Sequence, residues 1–249
     1  ILGRPSRELP EFRLNDFAKV KAEWERTHDK AVLARNPCLS DPDWRAAMRE
    51  YIHGLVRRAM DEGGAYVYCT GDEMSLTSYR SYFDFCWSQW CLARFREHLQ
   101  DLYGNLDELN RAWDTNFATW DQVVPMTLEE ARAAANPAPW ADHRSFMDDV
   151  TAEFMAFTLQ CIREVDPAGH CGMSGTQAPR SGNGMDWWKM SQAFDYYHSY
   201  NTEWSNEMRR SFAADTGVMQ SPYNAGYWQS GRGLEYNMWW CLLHDTIGI

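Results

Sequence analysis

Short apolar runs of strand length alternate along this chain with longer stretches whose apolar residues recur at helical spacing, which confines the fold to parallel βα units. The strand-like runs fall at 30–34, 65–69, 170–174, 194–198 and 218–220, the last the shortest. Phe12, Phe17, Val20 and Trp24 mark a helix over 11–26. Trp44, Met48, Ile52, Leu55 and Met60 mark a second, with Asp41 or Ser40 as its cap, Pro42 in its first turn and Gly63-Gly64 ending it. A third helix is expected over about 90–103, followed by a long loop to about 139. Phe146, Val150, Phe154, Phe157 and Ile162 predict a helix over 145–165, broken by Asp166-Pro167, and a last helix begins near Gly233. No internal repeat or low-complexity tract interrupts the series.

The chain has 249 residues, enough for one large domain or two small ones, and its 45% hydrophobic content suffices for a core. Thirteen Trp, twelve Tyr and eleven Phe fit either a large aromatic core or a cleft in which ring faces pack on sugars, and both readings stay open. A net charge of −11 without a basic stripe excludes nucleic acid and anionic membrane surfaces as partners. No apolar run reaches the ~18 residues of a membrane span. The first residues lack both a starting Met and the apolar stretch of a signal peptide, so a cut end is expected, and the compartment stays open between cytoplasm and periplasm. Seven scattered cysteines, an odd number, argue against a disulfide framework and for reduced thiols, some of them available to a metal.

The segment 86–125 narrows the reading further. Cys86, Cys91, Phe95-Arg96, Leu99, Tyr103-Gly104, Leu109-Asn110, Trp113, Thr115, Phe117, Trp120 and Pro125 follow one another there. This order resembles the segment after the fourth strand of the family 42 glycoside hydrolases, β-galactosidase-like (β/α)8 barrels. In that family it runs C-x-C-x2-C-x3-F-R-x-W-L, Y-G, L-N, W-G-T-x-F, then W and P. The resemblance implies an α/β fold, a TIM-type barrel present only in part. The strand-like runs would be its third to seventh strands, with a long insertion after the fourth at about 74–140. All of 1–249 would be this one partial domain. No counterpart of the first two strands lies upstream of residue 28, and the eighth would begin about where the chain stops.

The resemblance also implies a site. Retaining glycosidases need two carboxyl groups about 5–5.5 Å apart, and barrels carry such groups at strand C-termini. Glu73, after the 65–69 strand, falls on the family's general acid/base. Asp72 stands where the family has Asn. The nucleophile register falls on Gln220, with Trp228 eight residues on, where the family keeps a Trp after its Glu. An amide cannot serve as that nucleophile. Gln220 is thus an engineered knockout, a natural variant relying on Glu203, Glu207 or Glu235, or the mark of a binding protein on a hydrolase scaffold, unless the seventh strand lies in another register. Arg35, His198, Tyr200 and Trp228 are expected to line the cleft with Asp72. Cys38, Cys86 and Cys91 match three of the family's four zinc thiols, and Ser88 takes the fourth place, so a structural zinc and simple buried thiols both remain open. Cys69, Cys161, Cys171 and Cys241 read as core. The implied partner is a β-linked galactoside or a related plant or algal oligosaccharide. No organic cofactor is implied, and family relatives are often trimers.

Overall fold

Five parallel strands lie side by side in the order in which the chain visits them: β1 (Arg7–Glu8), β2 (Val67–Asp72), β3 (His170–Thr176), β4 (Tyr196–Ser199) and β5 (Met219–Gln220). The computed structural model describes residues 7–8, 17–65, 67–78, 81–176, 179–180, 182, 184–200, 203–217, 219–220 and 230–244. Parallel neighbours cannot be joined by a tight hairpin, so the chain returns through helices. α1 (Phe17–Thr27) and α2 (Pro42–Asp61) precede β2; α3 (Gln89–Tyr103), α4 (Leu106–Trp113), α5 (Leu128–Ala133) and α6 (Ala138–Arg163) precede β3. α7 (Trp187–Ser191) and α8 (Glu203–Thr216) flank β4, and α9 (Arg232–Leu243) follows β5.

Strand alternation separates two faces. Tyr68, Cys171, Met173 and Tyr197 are fully buried on one of them. There the Tyr68 hydroxyl donates to Asp166, just beyond α6, at 2.9 Å, and the Tyr197 hydroxyl donates to the Trp187 carbonyl at the start of α7. The register pairs Gly172 with Tyr196 and Ser174 with His198 on the other face. A Cβ at Gly172 would collide with the Tyr196 ring and carbonyl, so only glycine lets these strands close up here. The register shifts between Cys69 and Asp72 and again between Ser174 and Thr176, at the strands' C-terminal ends. Irregularities of this kind re-aim side chains next to active sites.

Differences from the sequence expectations have local causes. The 30–34 run is a 3-10 turn over Lys30–Leu33, because the Asp29 carboxylate caps it at the Ala31 N–H (2.9 Å) and only Leu33 is buried. The place beside β2 is taken by Arg7–Glu8, upstream of residue 28, where no strand was expected. α1 begins at Phe17, and Phe12 lies outside the described residues. The expected long loop to 139 holds two further helices and a 3-10 turn. Asn105 caps α4, and Thr127 with Glu130 forms a reciprocal capping box on α5. α6 starts seven residues before the expected 145, with Pro139 in its first turn.

Most residues that give 86–125 its resemblance clamp this insertion together. Cys91, Phe95 and Leu99 form the buried stripe of α3, and Leu109 and Trp113 that of α4. The Trp113 indole and the Tyr103 hydroxyl both donate to Asp142 Oδ2, at 2.8 and 2.7 Å. Asn110 donates to the Phe117 carbonyl and accepts from the Thr115 hydroxyl and the Phe117 N–H, each at 2.9 Å. Arg96 donates to the carbonyls of Val123 (3.0 Å) and Asp121 (2.8 Å). Large apolar side chains remain exposed on α9, with Tyr236, Met238, Trp239, Leu242 and Leu243 all more than half accessible. Among the described residues no helix is long and apolar enough to cross a membrane.

Candidate active site and thiol cluster

The chain leaves β2 through Gly71 (φ 115°) and Glu73 (φ 50°). A left-handed backbone at a residue with a long side chain is uncommon, and such strain gathers at functional sites. It is held by the neighbouring strand: the Glu73 N–H donates to the Ser174 carbonyl at 3.0 Å. The Glu73 carboxylate accepts the hydroxyl of Tyr200, the residue after β4. Tyr200 is tied to the start of α8, where the Ser205 hydroxyl donates to its carbonyl at 2.8 Å. Three consecutive strands thus converge on one half-buried carboxylate. Sequence reasoning placed Tyr200 in the cleft and missed its bond to Glu73, which crosses from β4 to β2 and leaves no mark in local pattern.

His198 lies two residues before Tyr200, in register with Ser174. Burial, reinforced by the Arg209 guanidinium, pulls its imidazole down to about 4, so it is neutral in the physiological range. Arg209 is fully buried on α8 and donates its Nε to the Ser205 carbonyl at 3.0 Å. The backbone of Asp72 pairs with Ser174 and that of Gln220 with Tyr197. The side chains of Asp72 and Gln220, and the whole of Trp228, lie outside the described residues. Of the other carboxylates, Glu207 is bound to Arg210 (2.6 Å) and Glu235 is exposed in the first turn of α9, while the Glu203 side chain is also outside the description.

The structure brings Cys38, Cys86 and Cys91 together, with all three sulfurs within 4.8 Å of one another. Cys38 Sγ is 3.6 Å from Cys91 Sγ and 3.9 Å from Cys86 Sγ. Thiolates about 2.3 Å from a tetrahedral zinc stand about 3.8 Å apart, so the donor set fits such an ion. Helix starts fix the cluster: Cys38 precedes α2 and its Asp41 cap, while Cys86 and Cys91 flank Ser88, the cap of α3. The Ser88 hydroxyl accepts the Cys91 N–H at 3.1 Å and lies 3.0 Å from Cys38 Sγ. The Ser40 N–H donates to Cys38 Sγ at 3.3 Å, and the Cys91 thiol to the Ser40 hydroxyl at 3.3 Å. The Cys86 and Cys91 thiols, with Ser88 and Ser40, hold Cys38 far below the usual thiol range. Burial raises Cys86, and the hydrogen bonds with the Cys38 and Cys86 thiols, together with burial, raise Cys91. The sequence offered Ser40 only as an alternative cap of α2, and its place two residues after Cys38 was the available signal for its contacts with the thiols.

Arg35, expected near the cleft, is only 2% exposed. Its Nε donates to the Leu76 carbonyl at 2.8 Å and its Nη1 to the Pro37 carbonyl, next to Cys38. Burial lowers its guanidinium to about 10, and the thiols of Cys86, Cys38 and Cys91 oppose that fall. An arginine does not release its proton in a protein, so Arg35 is a buried cation beside the thiol cluster.

The C-terminal ends of strands in a parallel βα sheet are where α/β enzymes carry their catalytic groups, and Glu73 occupies such a place. The glycoside hydrolase family 42 model, described as beta-galactosidase, matches residues 1–236, and the chain belongs to that family. Beta-galactosidase BgaA of Planococcus sp. (strain 'SOS Orange') is 24% identical over 212 residues, covering 82% of this chain and 27% of that protein. The chain thus spans about a quarter of the length of this curated relative. The crystal structure of a beta-galactosidase from Bacillus circulans sp. alkalophilus superposes with a TM-score of 0.61 at 17% identity, over 85% of this chain and 34% of that one. The catalytic domain of a beta-amylase from Paenibacillus polymyxa gives 0.59 at 16% identity, over 81% and 61%. At these identities the structural likeness speaks for the fold alone.

Proposed function

We propose that the chain is the central portion of a (β/α)8 barrel, with its insertion at about 74–140, from a retaining glycoside hydrolase acting on β-galactosides or related β-linked oligosaccharides. The observation that carries this reading is the Glu73 carboxylate, set at a strand end by a left-handed backbone and bound by Tyr200 from two strands away. Strand order supports the partial barrel, since neighbours in sequence are neighbours in space and all run parallel. The exposed apolar side chains of α9 fit a helix that packs on further barrel elements.

In this reading Glu73 protonates the leaving glycosidic oxygen and then takes a proton from the attacking water. Tyr200 fixes the carboxylate's direction. His198 and Asp72 offer hydrogen bonds to sugar hydroxyls, Trp228 a stacking face, and Gln220 stands at the nucleophile's place. A second reading, a catalytically inactive carbohydrate-binding protein on the same scaffold, is favoured by the identity of Gln220 itself. Hydrolysis of an aryl β-galactoside by the complete protein, as it stands and as Gln220→Glu, separates them. The hydrolase reading expects Gln220→Glu to cleave at least about a hundredfold faster. Failure of both forms to cleave, with sugar binding retained, establishes the binding protein.

Cys38, Cys86 and Cys91 are proposed to hold a structural zinc, which would tie the loop before α2 to the start of α3. Its chemistry is cross-linking, with no part in the acid–base step assigned to Glu73. Assembly as a homotrimer belongs to the same proposal, with molecular mass in solution as its test.

A further inference from the structure

The composition of the thiol cluster poses a charge problem. A divalent zinc bound by three thiolates leaves one net negative charge, and Cys38, Cys86 and Cys91 are all at least 94% buried, so water cannot screen it. Ser88 does not change that sum. Its hydroxyl oxygen already accepts the Cys91 N–H as the cap of α3, and it stands 3.0 Å from Cys38 Sγ as a neutral neighbour. Two guanidiniums are held by backbone beside Cys38, Arg45 on the Leu39 carbonyl at 2.5 Å and Arg35 on the carbonyls of Leu76 and Pro37, and Arg35, 2% exposed, is the more deeply buried of the two. A buried guanidinium needs a counter-charge as much as the thiolates do.

We propose that Arg35 is the counter-charge of a three-thiolate zinc complex at Cys38, Cys86 and Cys91, making the buried unit neutral and leaving its fourth coordination position to an exchangeable ligand beside Ser88. The inference rests on the zinc reading and goes beyond it. It gives Arg35 a role away from substrate and makes Ser88 the determinant of an open site. The serine groups complete the arrangement, because the Ser40 N–H and the Ser88 hydroxyl are placed as hydrogen-bond donors to Cys38 sulfur.

The test uses the complete protein, stripped of metal under reducing conditions and reloaded with zinc. Stoichiometry is read by elemental analysis, affinity by competition with a chromophoric chelator, and melting temperature with and without zinc. Arg35→Gln keeps donors for the two carbonyls and removes the charge. It should weaken zinc binding about 10- to 100-fold, the usual range for outer-shell partners, and lower the zinc-bound melting temperature more than the metal-free one. Ser88→Cys should tighten binding by at least about tenfold, and adding Arg35→Gln to it should cost more than in the parent, because four thiolates carry a larger charge. A parent protein that takes up no zinc overturns the zinc reading and this inference together. Zinc uptake that Arg35→Gln leaves unchanged overturns the inference alone, and so does an equal loss of melting temperature with and without zinc.

Discussion

The insertion over 86–125 and the strand ends around Glu73 are held together in opposite ways. In the insertion, polar side chains saturate one another: Asp142 takes Trp113 and Tyr103, Asn110 takes Thr115 and Phe117, and Arg96 ties the loop carbonyls. At the strand ends, a carboxylate is propped on a strained backbone and steered by one hydroxyl from a distant strand. The first arrangement is organised for rigidity and the second, in the proposed function, to leave acid–base capacity facing a substrate. The residues that make the family recognisable are therefore mostly those that hold the insertion, and Glu73 and Gln220 are the strand-end positions that tie recognition to the proposed chemistry.

The sharpest way to break this comparison is to exchange one residue from each region. Glu73→Gln, in a complete protein that hydrolyses an aryl β-galactoside, should lower kcat by roughly 10²–10⁴ and leave the melting temperature near that of the parent. Trp113→Ala should do the reverse. It removes a fully buried indole and leaves Asp142 with one donor fewer, so it should cost about 3–5 kcal/mol in urea unfolding while the folded fraction keeps its kcat. A Trp113→Ala protein that stays stable but loses turnover would refute the division of labour.

A third test probes the buried face of α6 that backs on α7. Asp148 is 94% buried, and its Oδ1 has no hydrogen-bond partner. Burial first, then Asp186, pushes its carboxyl up to about 7, against the pull of Lys189 and Arg144. The folded value lies above the unfolded one, so the native state holds the extra proton between about pH 4 and 7. Stability from this group is therefore full in acid and is lost as pH rises through 7. Asp148→Asn should add about 1–3 kcal/mol at pH 8 and nothing near pH 4, measured by urea unfolding at both values. An equal effect at the two pH values would remove ionisation as the cause.

How far the sequence could be read follows the same division. α2, α3 and the body of α6 were legible because their stripes run over several turns and Asp41, Gly104 and Asp166-Pro167 mark one end of each, while the first seven residues of α6 were not. α4 and α5 were not, because each buries only one or two side chains, although Thr127 and Glu130 spelled a capping box. The 30–34 run misled because a single buried residue, Leu33, looks the same in a strand and in a 3-10 turn. Cys38 and Cys86 meet only after the sheet sets the start of α2 against the start of α3, so their spacing suggested a pair to the eye only through family resemblance. Arg35 is expected in the cleft because it follows a strand-like run near where the resembling family keeps an arginine close to its nucleophile. The Pro37 and Leu76 carbonyls that turn it towards the thiols are tertiary partners no local pattern displays.

The smallest expected effect sharpens the comparison most, because it asks whether one hydroxyl does at the strand ends what a saturated network does in the insertion. Tyr200→Phe keeps the ring and removes only the donor to Glu73. If the bond serves to aim the carboxylate, kcat should fall about tenfold, equivalent to about 1.4 kcal/mol, with KM and melting temperature little changed. The expected split follows from the geometry: Glu73 keeps its backbone bond to Ser174, so the strand end does not collapse, but the carboxylate gains rotational freedom it must lose again in the transition state. A fall in melting temperature without a fall in kcat would instead class Tyr200 with Tyr103 and Asn110, as one more clamp, and would remove it from the aiming of the Glu73 carboxylate.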